Sequence, residues 1–257
     1  MQEQEMGFQH PPVCVAETLT GQPGIVDVWL YFYESADGEA LQTRHEALMT
    51  PDERARHERF HFERDRRQFV ATRALVRTAL SKYASVAPAD WRFAAGSHGK
   101  PHVAQPATSP ALFFNLANTQ GLVICAVSAA HEMIGADVER MDRKTEILEL
   151  AERFFSPFEA AALKALSATE QRRRFFTYWT LKESYIKARG LGLAIALDHF
   201  SFRLEGQNIG VRFEPALADD ATRWRFALWT PRETHMIAVG ADTGGAPLSL
   251  RVQHIVP

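Results

Sequence analysis

Ile134-Gly135-Ala136-Asp137-Val138-Glu139 and, further along, Trp179-Thr180-Leu181-Lys182-Glu183-Ser184-Tyr185-Ile186-Lys187 are the two most informative stretches of the chain. On a β-strand successive side chains point to opposite faces, so Asp137 and Glu139 share one face. On a helix, Trp179, Glu183 and Lys187 recur every fourth position and fall on one stripe. A strand bearing two carboxylates and a helix bearing a third beside an ammonium suit Mg²⁺ holding a diphosphate. The carboxylates supply hard oxygen donors for the metal, and the ammonium a cation for the phosphate.

Outward from these stretches, strand-like and helix-like segments alternate. Ile25 to Tyr33 is rich in β-branched and aromatic residues and reads as a strand. Thr50-Pro51-Asp52-Glu53 has the grammar of a helix start: Thr as N-cap, Pro in the first turn, Glu completing a capping box. A longer helix follows, its apolar face predicted from Phe69, Val76, Leu80 and Tyr83. Ala94 to Pro110 reads as a loop by its glycines and prolines, and feeds strand-like segments at 111–116 and 122–127. Ser156-Pro157-Phe158-Glu159 repeats the capping grammar, which assigns Glu159 to a helix cap. Gly190 is placed to end the helix that carries Glu183. Short alternating runs then recur at 200–204, 209–213, 224–229 and 235–239. The order of strand, helices and strands occurs twice, which predicts an α+β fold of two similar α/β subdomains with a site between them. Residues 1–24, polar and rich in Pro and Gly, are set apart as an N-terminal arm. The subdomains are expected at 25–128 and 129–257.

Composition narrows the function. The chain has 257 residues, 46% hydrophobic and 23% charged, which describes an ordinary globular protein long enough for a substantial core. A net charge of −2 argues against bulk electrostatic binding to nucleic acid or to a membrane surface. No apolar run reaches membrane-spanning length, and Met1 to Pro12 lacks the apolar core of a signal peptide, so the expected compartment is the cytoplasm. The two cysteines, Cys14 and Cys125, make no disulfide framework, and Cys125 in its apolar run reads as a buried thiol.

From about Pro51 to Phe202 the sequence resembles the 4′-phosphopantetheinyl transferases of the broad-specificity type that serves siderophore, peptide and polyketide synthases. The resemblance rests on Gly99-Lys100-Pro101, Phe114 to Thr119, Gly135 to Glu139, Phe155 to Glu159 and Trp179 to Lys187, five motifs in the family's order. It implies a pseudo-twofold monomer with coenzyme A in the cleft between halves. It also implies Mg²⁺-dependent transfer of phosphopantetheine to a serine of an apo acyl or peptidyl carrier protein, releasing adenosine 3′,5′-bisphosphate. By the same resemblance Asp137, Glu139 and Glu183 surround the metal, Glu183 activates the serine hydroxyl, and Lys187 stabilises or protonates the leaving phosphate. Lys100 matches a lysine that reaches phosphate, and Arg56 a basic position at the nucleotide's 3′-phosphate.

Arg64 and Arg73 are further candidates for that phosphate, although eight arginines against five acids over 51–77 also describe a solvated helix face. Trp179 reads as packing, and Lys182, off the acidic stripe, as a residue of the cleft or of the surface. The chain departs from the family at Ala117-Asn118, where many relatives have Ser-His. Asn118 donates through its amide but carries no charge, which predicts a weaker hold on a coenzyme A phosphate by about 1–2 kcal/mol. Two competing readings follow: a catalytically silent protein that binds coenzyme A or carrier proteins, and a Mg²⁺-dependent phosphohydrolase using the same acids on water. The intact set of Asp137, Glu139, Glu183 and Lys187 favours the transferase.

Overall fold

The computed structural model describes residues 24–34, 39–206 and 208–257. The expected N-terminal arm lies, but for Gly24, outside the described residues. The chain starts with strand β1 (Ile25–Tyr31) and helices α1 (Glu39–Ala47), α2 (Pro51–Glu58) and α3 (Glu63–Leu80). Two hairpins follow, β2 (Arg92–Ala95) with β3 (Pro101–Gln105), then β4 (Phe113–Thr119) with β5 (Leu122–Ser128). The same order then repeats. Strand β6 (Ile134–Arg140) leads into α4 (Ile147–Phe154), α5 (Pro157–Lys164) and α6 (Ala168–Arg189). These are followed by the hairpin β7 (Phe200–Glu205) with β8 (Asn208–Phe213), and then β9 (Trp224–Arg232) with β10 (His235–Asp242).

Pairing repeats as well as order. β1 runs antiparallel to β5, which pairs with β4; β6 runs antiparallel to β10, which pairs with β9. The predicted α+β architecture of two similar halves is therefore present in the topology. One segment departs from a division at residue 128/129. Strand β11 (Ser249–His254) crosses back and lies parallel to β1, giving the sheet order β11-β1-β5-β4. It covers an edge that would otherwise expose unpaired backbone groups, and Val252 joins the core beside Val26 and Val28.

The two sheets share one apolar layer, with Val28, Ile124 and Ala126 from the first meeting Ile134, Val138, Ile237 and Val239 from the second. The long helices cover the other faces: α3 packs on β5 and α6 on β6 and β10. β5 is buried along its whole length because Val123, Cys125 and Val127 serve the α3 side while Leu122, Ile124 and Ala126 serve the other. The Cys125 thiol is fully buried, as expected, and burial pushes its pKa up.

Both predicted capping boxes form, Thr50 with Glu53 at α2 and Ser156 with Glu159 at α5. The stretch expected as a loop at 94–110 instead contains most of the β2–β3 hairpin. Its glycines make the turn, where Gly99 adopts φ 85° and Gly96 N–H donates to Lys100 O at 2.9 Å. Phe93 and Val103, opposite one another, pack toward Phe114. Helix α4 was not legible as a cap, yet Ile147, Leu150, Ala151 and Phe154 carry helical spacing and pack into the core beside α6. Tyr83 falls beyond α3, where its hydroxyl accepts from Trp29 Nε1 at 2.9 Å and donates to Asp27 at 2.7 Å.

Gly135 fixes how α6 meets β6. A Cβ built there would stand 2.0 Å from Ser184 O and 2.3 Å from Ala188 N, both backbone atoms of α6. Gly135→Ala is therefore expected to destabilise the fold by about 3 kcal/mol, through overpacking that no side-chain rotation relieves. At Gly210 an added Cβ meets nothing closer than 3.9 Å. Gly210→Ala should stay within about 0.5 kcal/mol of the parent. Urea denaturation of the two variants checks the contrast.

Candidate active site

Ile134, Ala136 and Val138 of β6 enter the apolar layer between the sheets, which turns Gly135, Asp137 and Glu139 toward α6. The close approach at Gly135 is echoed across the strand pair. Gly240, opposite Gly135 in register, has Ser184 Oγ 3.3 Å from its would-be Cβ. With the helix backbone seated there, the Lys187 ammonium reaches Asp137 Oδ1 at 2.6 Å. Sequence spacing placed the acids and the ammonium on facing elements, and the structure brings Asp137, Glu139, Glu183 and Lys187 within electrostatic range of one another.

The electrostatics of this group are unbalanced. Burial, then the charge of Asp137, pushes the Glu139 carboxyl up to about 7, against the opposing pull of Arg143 and Lys187. Arg143 lies 3.3 Å from Glu139. Burial and Asp137 also raise the Glu183 pKa. Asp137 Oδ2 is buried without a hydrogen-bond partner. Among the described residues no three acidic, histidine or cysteine side chains stand close enough together to hold a metal ion as they are arranged. The donor set nevertheless fits a divalent cation: hard oxygens, an orphaned buried carboxylate oxygen, and mutual repulsion that a cation would relieve.

A cavity of about 310 Å³ opens beside this group, lined by Lys100, Asn115, Glu183, Ile186, Lys187 and Leu197 among others. Lys100 reaches it, but its ammonium is engaged with Ile134 O at 3.1 Å and Ala188 O at 2.9 Å. It thus clasps the β2–β3 turn to β6 and to the end of α6, and burial lowers its pKa to about 8. Gly190, at φ 65°, makes room for the lysine stem, since an added Cβ would stand 3.0 Å from Lys100 Cδ. Asn115, to which the sequence reading gave no role, has its Oδ1 accepting from Ala136 N at 2.9 Å, which ties β4 to β6 at the cavity. Its signal was its place within the Phe114 to Thr119 motif.

Arg56 and Asn118 do not line this cavity. Arg56 lies over the Phe69 ring at 5.5 Å and borders a shallow depression with Asp52, Arg59 and Phe60. Asn118 is exposed, and its Oδ1 accepts from Gln68 Nε2. Arg73 is 3.6 Å from Glu53, and Arg64 pairs with its neighbour Asp65 at 3.4 Å. Trp179 packs, as expected, stacked on Phe175 with 5.7 Å between ring centroids. Lys182 belongs neither to the cleft nor to the surface. It is fully buried, 2.7 Å from an equally buried Glu159, so the predicted cap residue also anchors an ion pair. Removing one partner of such a pair costs about 3–5 kcal/mol by stranding the other charge.

Carboxylates with an ammonium beside a cavity suit the chemistry of an enzyme that acts on phosphoryl groups. A profile of the 4′-phosphopantetheinyl transferase superfamily matches residues 133–240, and one of the 4′-phosphopantetheinyl transferase N-terminal region matches 39–130. The 4′-phosphopantetheinyl transferase HetI of Nostoc sp. is 36% identical over 194 residues, 75% of this chain and 78% of that protein. The 4′-phosphopantetheinyl transferase Sfp of Bacillus subtilis is 35% identical over 62% of this chain and 67% of that protein. A phosphopantetheinyl transferase of Thraustochytrium sp. is 30% identical over 86% of this chain and 80% of that protein. The chain belongs to the 4′-phosphopantetheinyl transferase superfamily and is a transferase of that kind. No helix among the described residues is long and apolar enough to cross a membrane.

The raised Glu139 pKa generates a prediction whose sign is fixed. Between the carboxylate's ordinary value and about 7, the folded protein holds a proton that the unfolded chain releases. Stability of the metal-free protein should therefore fall as pH rises through that window. Mg²⁺ binds the deprotonated form, so it should raise Tm more at pH 8 than at pH 6. Calorimetry with and without Mg²⁺ at both pH values checks this, and equal metal effects would remove Glu139 from the metal set.

Proposed function

We propose that the enzyme transfers the 4′-phosphopantetheine of coenzyme A to a serine of an apo acyl or peptidyl carrier protein, releasing adenosine 3′,5′-bisphosphate. The observation that carries the reading is the Asp137, Glu139, Glu183 and Lys187 group, of which Glu183 and Lys187 line the cavity. Asp137, Glu139 and Glu183 would hold Mg²⁺, which when bound supplies neutralisation of the pyrophosphate charge and orientation of the leaving group. Glu183, whose burial raises its proton affinity, takes the proton of the serine hydroxyl. The serine oxygen then bonds to the phosphorus bearing pantetheine as the bond from that phosphorus to the bridging oxygen breaks. Lys187 donates to the departing bisphosphate as negative charge develops on it.

Lys100 borders the cavity and has one N–H beyond its two carbonyl bonds for the coenzyme. Arg56 and Asn118, outside the cavity, are assigned to the nucleotide end of an extended coenzyme A. Lys100 and Glu183, one from each half, border the same cavity, so the halves at 25–128 and 129–257 act as one unit; the expected form is a cytoplasmic monomer.

Incubation with coenzyme A, Mg²⁺ and a panel of apo carrier proteins, read by intact mass, tests the reading. Carriers should gain one phosphopantetheine; release of phosphopantetheine to water alone would overturn it. Asp137→Asn keeps the side-chain shape and removes the charge. It is expected to lower transfer by a factor on the order of 100 or more at saturating Mg²⁺. Lys187→Ala should lower kcat by about a hundredfold while moving KM for coenzyme A by less than about threefold, because the charge it meets develops in the transition state. A raised KM at constant kcat would make Lys187 a binding residue only.

A further inference from the structure

Lys182 precedes Glu183 in the chain, yet its ammonium serves a different neighbourhood. It bonds Glu159 Oε2 at 2.7 Å, Leu197 O at 2.7 Å and Phe200 O at 2.5 Å, which uses all three of its N–H groups. Glu159 in turn accepts from Phe202 N at 2.9 Å through Oε1 and from Ser156 Oγ at 2.8 Å through Oε2. Both side chains are 0% exposed. One ion pair thus joins the start of α5, the middle of α6, the connection over 191–199 and the first residues of β7.

That connection is a wall of the cleft, because Gly192, Ile195 and Leu197 line the same cavity as Glu183 and Lys187. Its internal backbone bonds are local, Ala194 N to Leu191 O at 3.2 Å, Ile195 N to Gly192 O at 3.3 Å and His199 N to Ala196 O at 3.2 Å, and its far end is held where His199 O accepts from Glu214 N at 2.9 Å. The local bonds curl the segment without placing it against α6. Ile195, buried in the core cluster of α6 with Leu191 and Leu197 packed on it, and the Lys182 ammonium, bonded to Leu197 O and Phe200 O, supply that placement together. The ammonium also meets two carbonyls that need a donor where water does not reach, and the Glu159 carboxylate opposes the lowering of its pKa by burial.

We propose that Lys182, paired with Glu159, is a positioning residue that sets the cleft wall at Ile195 to Leu197 and so governs how tightly coenzyme A is held. The inference rests on the reading of this cavity as the coenzyme A site. It assigns Lys182 to donor binding and leaves the phosphoryl transfer to Glu183 and Lys187.

The test uses the full chain with coenzyme A, Mg²⁺ and an apo carrier protein. Lys182→Met and the double variant Glu159→Gln/Lys182→Met should raise KM for coenzyme A about tenfold or more, with kcat within about threefold of the parent. Amide hydrogen exchange over 191–199 should quicken by about tenfold, while β6 and the centre of α6 keep their protection. Leu197→Ala alters the wall and leaves the pair intact; it should raise KM in the same sense, and decides the matter where the lysine variants do not fold. A folded Lys182 variant with unchanged KM and unchanged exchange overturns the proposal. So does a loss of kcat at unchanged KM, or a Leu197→Ala protein with the parent's KM. Exchange needs no turnover, so a parent protein that transfers nothing would sink the functional reading while the exchange data still judge the pair.

Discussion

Helix α6 lies where it does because β6 has no side chain at residue 135. Ser184 O and Ala188 N would stand 2.0 Å and 2.3 Å from a Cβ there, so the helix backbone rests on the strand itself. Gly240, opposite on β10, and the small residues Ser184 and Ala188 on the helix complete this close seat. From that contact follows the geometry of the site: two residues along β6 stands Asp137, and one position before each small helix residue stand Glu183 and Lys187. A wider helix–strand spacing would leave the same four functional residues in the sequence and none of their interactions in the molecule.

The close seat has an electrostatic consequence. Carboxylates gathered in a poorly solvated seam repel one another and lose hydration, and both effects favour their protonated forms. Glu139 and Glu183 show it in raised pKa values. Asp137 has a buried oxygen with no hydrogen-bond partner. Lys187 offsets part of the excess at Asp137 Oδ1. The remainder is excess negative charge, of the kind that a divalent cation would offset.

Three lysines around the cleft illustrate how partner decides role. Lys187 faces a carboxylate and remains partly exposed, which suits the proposed role of meeting a leaving phosphate. Lys100 bonds two carbonyls from the other half of the molecule and acts as a clasp across the cleft. Lys182 is wholly enclosed with a carboxylate and two carbonyls. An ammonium in such surroundings is a fixed strut whose three donors set the relative position of three backbone segments.

Much of the fold was legible because it rests on local signals. Both capping boxes, the Gly190 helix end, the strand at Asp137 and the twofold order of elements follow from residue type and spacing over a few positions. The acids on β6 and α6 were legible for the same reason, since the periods of strand and helix decide which side chains share a face. The hairpin hidden in 94–110, the return of β11 to β1, and the burial of Lys182 were not. Each depends on a partner distant in the chain: Phe114 for the hairpin, an open sheet edge for β11, Glu159 for the lysine. Likewise Arg56 matched a family position by sequence and Asn118 stood where the family has a histidine, while only the packed structure placed them outside the cavity of Glu183. Sequence determined which residues face the same way on one element. Tertiary structure decided which elements meet, because the free energy of burying a charge or closing a sheet edge belongs to both partners at once.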